Sequence, residues 1–212
     1  MLRRGEPTAV TVHNRLDAAT SVHWHGLELE SFYDGVAGWS GTAARLAPSI
    51  APGDSFVARF TPPRAGTFIY HSHASEVRQL SLGLFGPLIV LEPGVRWDPD
   101  RDRVVVNYSA LGARHSALGG GAALRRGRAY RLRFINITLA DDVELELVQG
   151  GVIGSWRMLA KDGAELPRPK AQPAHLLFGP GETTDAEFTP GVGALTIRVR
   201  SFNNFDSVLP VR

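Results

Sequence analysis

The chain has 212 residues, enough for one large domain or for two domains of about 100 residues, each able to bury a core. Its 23 basic and 21 acidic residues nearly balance, so the charge gives no case for binding nucleic acid or a membrane surface, and no apolar run approaches membrane-spanning length. The absence of cysteine excludes disulfides, thiolate metal ligands and cysteine nucleophiles within these residues.

Short apolar runs, separated by 23 glycines and 14 prolines, predict an all-β chain. Residues 32–41 are interpreted as a glycine-rich loop that holds Asp34-Gly35. No long amphipathic helix is expected, although the polar segment at residues 73–81 has room for one helical turn. In the first half, the apolar pattern predicts strands at residues 9–13, 21–29, 55–60, 67–70 and 84–91.

The best domain boundary lies at residues 92–102, a charged segment that contains two prolines. It predicts a first domain at residues 1–95 and a second at residues 96–212, arranged as two tandem Greek-key β-sandwiches. A glycine turn is predicted at residues 119–121. Strands of the second domain are predicted at residues 104–108, 129–137, 143–147, 155–159, 175–178, 185–188 and 195–199.

Two histidine pairs, His23-Trp24-His25 and His71-Ser72-His73, dominate the chemistry of the sequence. With 7 histidines in 212 residues, chance placement would give about a quarter of one such pair. On a strand, residues i and i+2 point to the same face, about 6.5–7 Å apart. Each pair can therefore converge on one metal ion or serve two adjacent ions. A lone histidine is usually a surface or core residue, but two pairs beside apolar strand residues favour a multinuclear metal site.

These motifs resemble a known family, the laccase-like multicopper oxidases. The first half is similar to the first domain of that family, and the second half is similar to its middle domain. The matching segments of the first half are residues 21–27, 34–35, 52–53, 66–73 and 83–90, and those of the second half are residues 130–136, 162–163 and 180–183.

The resemblance implies tandem cupredoxin domains that oxidise phenols, amines or metal ions and reduce dioxygen to water. In the family, a blue type 1 copper takes electrons from the reducing substrate, and eight histidines hold a three-copper cluster. By this resemblance His23 binds the type 2 copper, His25 and His71 share one type 3 copper, and His73 binds the other. The resemblance also suggests a periplasmic or secreted location, although these residues contain no signal peptide.

Two further residues acquire roles from the resemblance. Asp34 matches an acidic position near the cluster that assists proton delivery, which suits a reaction that consumes protons. Its alternative role is that of an ordinary Asp-Gly turn residue. Gly26 is expected to leave room beside the cluster, where a side chain would crowd a ligand.

The departures from the family pattern limit these expectations. The last domain of the family carries the other two histidine pairs and the blue-copper ligands, which include a cysteine thiolate. His13, His115 and His175 stand alone and are expected to be structural or surface residues. The chain also begins late relative to the family. We therefore expect a portion of a three-domain enzyme, not competent alone, whose blue-copper domain lies on another chain or outside these residues.

Two alternatives remain open at this stage. One is a non-catalytic, copper-free cupredoxin-like scaffold or binding protein, which the missing blue-copper domain favours. The other is a cupin, because His23-x-His25 followed by Glu30 matches half of a cupin metal motif. The upstream glycine and the later lone histidine of that motif do not fit.

Overall fold

Strands account for 50% of the chain and helices for 5%, which confirms the all-β prediction. A computed structural model describes residues 1–110, 113–119, 124–201 and 205–211. The predicted turn at residues 119–121 lies partly outside these ranges. The chain divides into two units, Met1–Val95 (unit 1) and Arg96–Arg212 (unit 2). Among the described residues, no helix is both long and apolar enough to cross a membrane.

Unit 1 is built around a sheet in the order β1-β8-β7-β3, together with the separate ladders β2-β6 and β4-β5. A 3₁₀ turn, η1, and one short helix, α1, interrupt the strands. The elements are β1 (Leu2–Arg3), β2 (Thr8–His13), β3 (Val22–His25), η1 (Ser31–Tyr33), β4 (Gly41–Thr42), β5 (Arg45–Leu46), β6 (Ser55–Phe60), β7 (Gly66–Ser72), α1 (Glu76–Ser81) and β8 (Phe85–Leu91).

Strand β7 is the centre of this sheet, because it pairs with β8 on one side and with β3 on the other. Its apolar run places Phe68 and Ile69 at 1% and 0% exposure. Trp24 alternates with the two histidines of β3 and points into the core, where its ring lies 5.2 Å from that of Phe60. The same alternation places His23 and His25 on the opposite face of β3.

Strand β3 is shorter than the strand predicted at residues 21–29, because the chain turns immediately after His25. Gly26 has a φ of +80°, and the amide of Leu27 donates to the carbonyl oxygen of Trp24 at 3.2 Å. A positive φ ends a strand, and glycine adopts it at little cost. The polar segment after the second histidine pair does contain a helix, α1.

Unit 2 contains two sheets, which the described residues form in the orders β10-β9-β11-β18-β14-β15 and β13-β12-β19-β20. β16 also pairs with β14, and β17 with β12. Its strands are β9 (Asp102–Ala110), β10 (Ala113–Leu118), β11 (Tyr130–Ile137), β12 (Val143–Gln149), β13 (Val152–Ile153), β14 (Ser155–Lys161), β15 (Ala164–Glu165), β16 (Ala171–Pro173), β17 (His175–Phe178), β18 (Thr183–Phe188), β19 (Leu195–Ser201) and β20 (Phe205–Val211). Aromatic side chains at 2% exposure or less dominate its core: Tyr130, Phe134, Trp156, Phe178 and Phe188.

A buried ionic network crosses the first sheet of unit 2. The Asp185 side chain is 1% exposed and accepts hydrogen bonds from Arg131 at 2.6 Å and from Arg133 at 2.9 Å. Arg133 is 6% exposed and also pairs with Asp102 at 2.7 Å. Because buried charges are costly unless they are paired, each member of this network depends on the others.

Candidate metal centre

The pairing register of β3 and β7 brings the two histidine pairs together. His23 lies directly opposite His71 in the antiparallel ladder. The ring of His23 lies 5.4 Å from that of His25, 5.3 Å from that of His71 and 5.6 Å from that of His73, measured between centroids. The four imidazoles predicted from the sequence therefore form one cluster within unit 1.

Three of these rings offer nitrogen atoms that converge. One ring nitrogen from each of His23, His25 and His71 lies within 4.8 Å of the other two. Nδ1 of His25 and Nε2 of His71 are 3.4 Å apart. If both nitrogens were bonded to one ion at about 2.0–2.1 Å, the angle between the two bonds at the ion would be roughly 108–116°. This pair can therefore chelate a single metal ion, and an all-imidazole donor set suits copper.

Backbone carbonyls fix the orientation of two of the rings. Nδ1 of His71 donates to the carbonyl oxygen of Ser72 at 2.9 Å, and Nδ1 of His23 donates to that of Asp34 at 3.0 Å. A ring that donates from Nδ1 keeps the lone pair on Nε2 for a metal. Both rings are thus held in the tautomer that presents Nε2.

Burial and charge set opposite protonation tendencies for these two histidines. Burial lowers the pKa of His71 to about 4, assisted by the neighbouring histidines and opposed by the Ser72 carbonyl. For His23, burial alone would lower the pKa, but hydrogen bonds and the charge of Asp34 raise it overall. His71 is therefore a neutral, ligand-competent base at physiological pH, whereas a proton competes with metal at His23.

His73 lies in the ring cluster but outside the group of converging donors. Its Nε2 lies 3.0 Å from Oε1 of Glu76, at the start of α1. Ligation through Nε2 would require His73 to leave this carboxylate. Sequence reasoning missed Glu76, although its position three residues after His73, followed by a helix, was the available signal.

Asp34 lies beside the first histidine pair and directly precedes a tightly packed glycine. Its Oδ1 lies 3.2 Å from Nδ1 of His23, and its Oδ2 accepts a hydrogen bond from Ser40 at 3.0 Å. Burial would raise the pKa of this carboxyl, but the hydrogen bond and charge of His23 and the hydrogen bond of Ser40 lower it overall. The next residue, Gly35, brings the loop backbone close to β3, since a Cβ on Gly35 would lie 1.8 Å from the carbonyl oxygen of Val22.

One expectation about the surroundings of the cluster is wrong. A Cβ on Gly26 would meet Phe68 at 3.5 Å, which is an ordinary contact, so the positive φ of Gly26 accounts for the glycine and space beside a ligand does not. Of the aromatic residues next to the histidines in the sequence, Trp24 is 4% exposed and Tyr70 is 39% exposed.

The remaining histidines have surroundings of their own. Nε2 of His175 pairs with Glu144 at 2.8 Å, and His115 stacks on Tyr108 at 5.3 Å between ring centroids. His13 is exposed at the end of β2. The converging donor group found among the described residues does not include Glu30, the carboxylate of the cupin alternative.

A family comparison explains this geometry. The multicopper oxidase family model matches residues 1–94, which contain both histidine pairs. Unit 1 is therefore similar to the multicopper oxidases, as its histidine motifs predicted. The match favours the multicopper oxidase interpretation over the cupin alternative, and the cupredoxin-like fold confirms the predicted fold class.

Curated relatives are similar to part of the chain. Copper resistance protein A of Pseudomonas syringae pv. tomato is 41% identical over 88 residues, which are 42% of this chain and 13% of that protein. Laccase-1 of Fomitopsis schrenkii is 40% identical over 106 residues, or 47% of this chain and 18% of that protein. The aligned region thus spans less than one fifth of the length of these relatives.

Solved multicopper oxidase structures share the fold over nearly the whole chain. A multi-copper oxidase from Pseudomonas thermotolerans superposes with a TM-score of 0.78 at 24% identity, covering 99% of this chain and 54% of that one. Lac15, from a marine microbial metagenome, gives a TM-score of 0.77 at 24% identity and covers 100% of this chain and 56% of that one.

Proposed function

We propose that unit 1 binds copper through His23, His25, His71 and His73 and contributes half of the trinuclear copper site of a laccase-like oxidase. The observation that carries this proposal is the 3.4 Å separation of Nδ1 of His25 and Nε2 of His71, with a donor nitrogen of His23 within 4.8 Å. The names of the curated relatives, a copper resistance protein and a laccase, support copper as the metal.

The donor geometry supports the ligand roles that the family resemblance implies. His25 and His71 share one ion of the type 3 pair, since their nitrogens are spaced for chelation. His23 presents Nε2 to the type 2 ion, because its Nδ1 is held by the carbonyl of Asp34. His73 serves the second type 3 ion after its Nε2 exchanges Glu76 for metal.

Copper, when bound, would supply the one-electron transfers that join oxidation of a reducing substrate to reduction of dioxygen to water. The residues of this chain orient that chemistry. Asp34 holds the ring of His23 through both its carbonyl and its carboxylate. Its lowered pKa keeps the carboxylate charged near neutral pH, so it would hold a proton only transiently while passing it on.

We further propose that the remaining ligands lie on a blue-copper domain outside these 212 residues, on the same polypeptide or on another. Blue copper requires a thiolate, and this sequence has no cysteine. Half of the cluster ligands are therefore present here, and the isolated chain is expected to bind copper weakly and to turn over no substrate.

Copper titration tests the binding role. The wild-type chain is compared with a variant in which His23, His25, His71 and His73 are all alanine, and copper bound per chain is measured at pH 7.5. The matched control replaces His13 and His175, which removes histidines outside the cluster. We expect binding to be lost in the first variant and kept in the control; unchanged binding in the first variant would refute the site.

Reconstitution tests the catalytic role. The chain is mixed with a separately produced laccase-type last domain and copper, and oxygen uptake is followed with a phenolic substrate. We expect a tighter copper site and measurable oxygen consumption, both abolished by His71→Ala. Absence of a complex, together with unchanged copper affinity, would favour the copper-free scaffold instead.

A further inference from the structure

A buried glutamine links the two histidine-bearing segments of unit 1. Gln79 lies on α1 with 4% of its surface exposed. Its Oε1 accepts a hydrogen bond from Oγ1 of Thr20 at 2.7 Å and another, very short, from Oγ of Ser72. Its Nε2 donates to the carbonyl oxygen of Ala19 at 2.9 Å. Both ends of the amide are therefore satisfied.

The partners of Gln79 are the residues that flank the metal ligands. Ser72 is the residue between His71 and His73. Thr20 immediately precedes the segment that continues into β3, and its Oγ1 also lies 3.4 Å from Oγ of Ser72. One side chain thus connects the approach to the first histidine pair with the middle of the second.

We infer that Gln79 is a positioning residue that fixes the separation of the two histidine pairs and so sets copper affinity, an inference that rests on the copper-binding role proposed above. It acts through Ser72 and Thr20 and touches no ligand ring in the described structure. We name the unit of Gln79, Thr20 and Ser72 the polar clamp.

The clamp can have this effect because its hydroxyl groups are buried and share the amide oxygen of Gln79 as an acceptor. Thr20 and Ser72 are 4% and 1% exposed, so water cannot readily replace the amide oxygen of Gln79. Without that acceptor, the end of β7 and the segment before β3 lose their shared anchor. Partners that orient ligands in this indirect way typically change metal affinity by roughly 10- to 100-fold when removed.

The position of α1 also depends on this clamp. Glu76, which contacts His73, lies one turn before Gln79 on the same helix. Leu80, the next residue, anchors the helix by apolar burial at 6% exposure. The helix therefore has a polar anchor at Gln79, which reaches the histidine segments, and a separate apolar anchor at Leu80, and each can be removed by mutation.

The experiment compares Gln79→Met with Leu80→Ala. The first keeps a side chain of similar volume but removes the amide hydrogen bonds, whereas the second loosens the packing of the same helix and leaves the clamp intact. Copper affinity and the electron paramagnetic resonance spectrum of bound Cu(II) are recorded at a temperature where all variants are folded. We expect roughly 10- to 100-fold weaker binding and altered copper hyperfine splitting for Gln79→Met only.

A double-mutant cycle with Ser72→Ala tests the route of the effect. If Gln79 acts through Ser72, the double variant binds copper about as weakly as Gln79→Met alone. Fully additive losses, or equal copper binding and spectra for Gln79→Met and Leu80→Ala, overturn the inference. Thr20→Val, which removes one hydroxyl, serves the same comparison if Gln79→Met does not fold.

A metal-free measurement separates this inference from the proposed function. In the apo protein, nuclear Overhauser contacts between the rings of His25 and His71 should weaken in Gln79→Met and persist in Leu80→Ala. A wild-type chain that binds no copper would refute the proposed function while this contact still tests the clamp. Unchanged ring contacts in Gln79→Met would refute the clamp even if the wild type binds copper.

Discussion

Replacing Gly35 with alanine tests how closely the loop that carries Asp34 must approach the first histidine strand. Gly35 has a φ of +85°, and a Cβ at this position would lie 1.8 Å from the carbonyl oxygen of Val22. The substitution therefore combines a left-handed backbone with a direct steric overlap against β3.

The expected magnitude follows from these two costs. A non-glycine residue in the left-handed region costs about 1–2 kcal/mol. A normal carbon–oxygen contact is about 3.3 Å or more, so the loop must withdraw by roughly 1.5 Å. The hydrogen bonds of His23 to Asp34, at 3.0 Å and 3.2 Å, would then exceed hydrogen-bond range. Losing both brings the total to about 2–5 kcal/mol of unfolding free energy, with roughly 10- to 100-fold weaker copper binding.

Gly38→Ala in the same loop is the matched control. Gly38 has a φ of +76°, and a Cβ there would meet nothing within 4 Å. This variant carries only the backbone cost of about 1–2 kcal/mol and should keep the copper affinity of the wild type. Urea unfolding, followed through the resonances of unit 1, measures the stability difference, and copper titration measures the affinity.

The comparison has a clear negative outcome. If Gly35→Ala and Gly38→Ala lose the same stability and both bind copper like the wild type, the overlap with Val22 is accommodated elsewhere. The close approach of the loop would then have no part in holding His23.

Three further predictions concern the buried ion pairs of unit 2, the protonation of the clustered histidines and the lack of a thiolate. Asp185→Ala should cost unit 2 about 3–5 kcal/mol in a urea titration, because it removes the buried carboxylate that pairs with Arg131 and Arg133. Glu187→Ala breaks an exposed pair and should cost less than about 1 kcal/mol, and equal losses would contradict this. Copper affinity should fall as the pH drops through the raised pKa of His23, because a proton then occupies that ring, and the fall should begin well above the pKa of about 4 of His71. In competition titrations, Asp34→Asn should move this fall to lower pH, because it removes the charge that raises the pKa of His23. The copper-loaded chain alone should show no intense blue charge-transfer absorption in its visible spectrum, since it has no thiolate, and such a band would disprove the argument.

The sequence predicts the longer strands well because their apolar pattern is strong. The bounds of β6 and β17 match the predicted residues 55–60 and 175–178. The sequence does not predict very short strands such as β4, β5 and β15. Two residues form a strand because a partner strand lies beside them, and their own composition carries too little signal. Strand β3 was predicted too long, because a pattern that continues past Gly26 does not reveal its positive φ.

The histidines of the candidate site were predictable from the sequence, but the residues that support them were not. The spacing predicted that each pair would place two imidazoles on one face of its strand, and in the structure donors of His23, His25 and His71 converge. The contact of Glu76 with His73 and the reach of Gln79 to Ser72 depend on how α1 packs against β7. No periodicity in a segment of six helical residues carries that information.

The order β1-β8-β7-β3 has a consequence for how the protein is made. The central pairing of β7 waits for β8, whose Val90 pairs with both Leu2 and Gly66, so the sheet closes only after contacts across almost the whole of unit 1 have formed. At roughly 5–20 residues per second, translation needs about 1–4 s to proceed from His73 to Leu91. Until β8 is complete, β7 lacks one of its two partner strands, and histidines on an incompletely folded chain can themselves bind metal ions. Copper supplied after the synthesis of β8 should therefore give more correctly folded protein than copper present throughout translation.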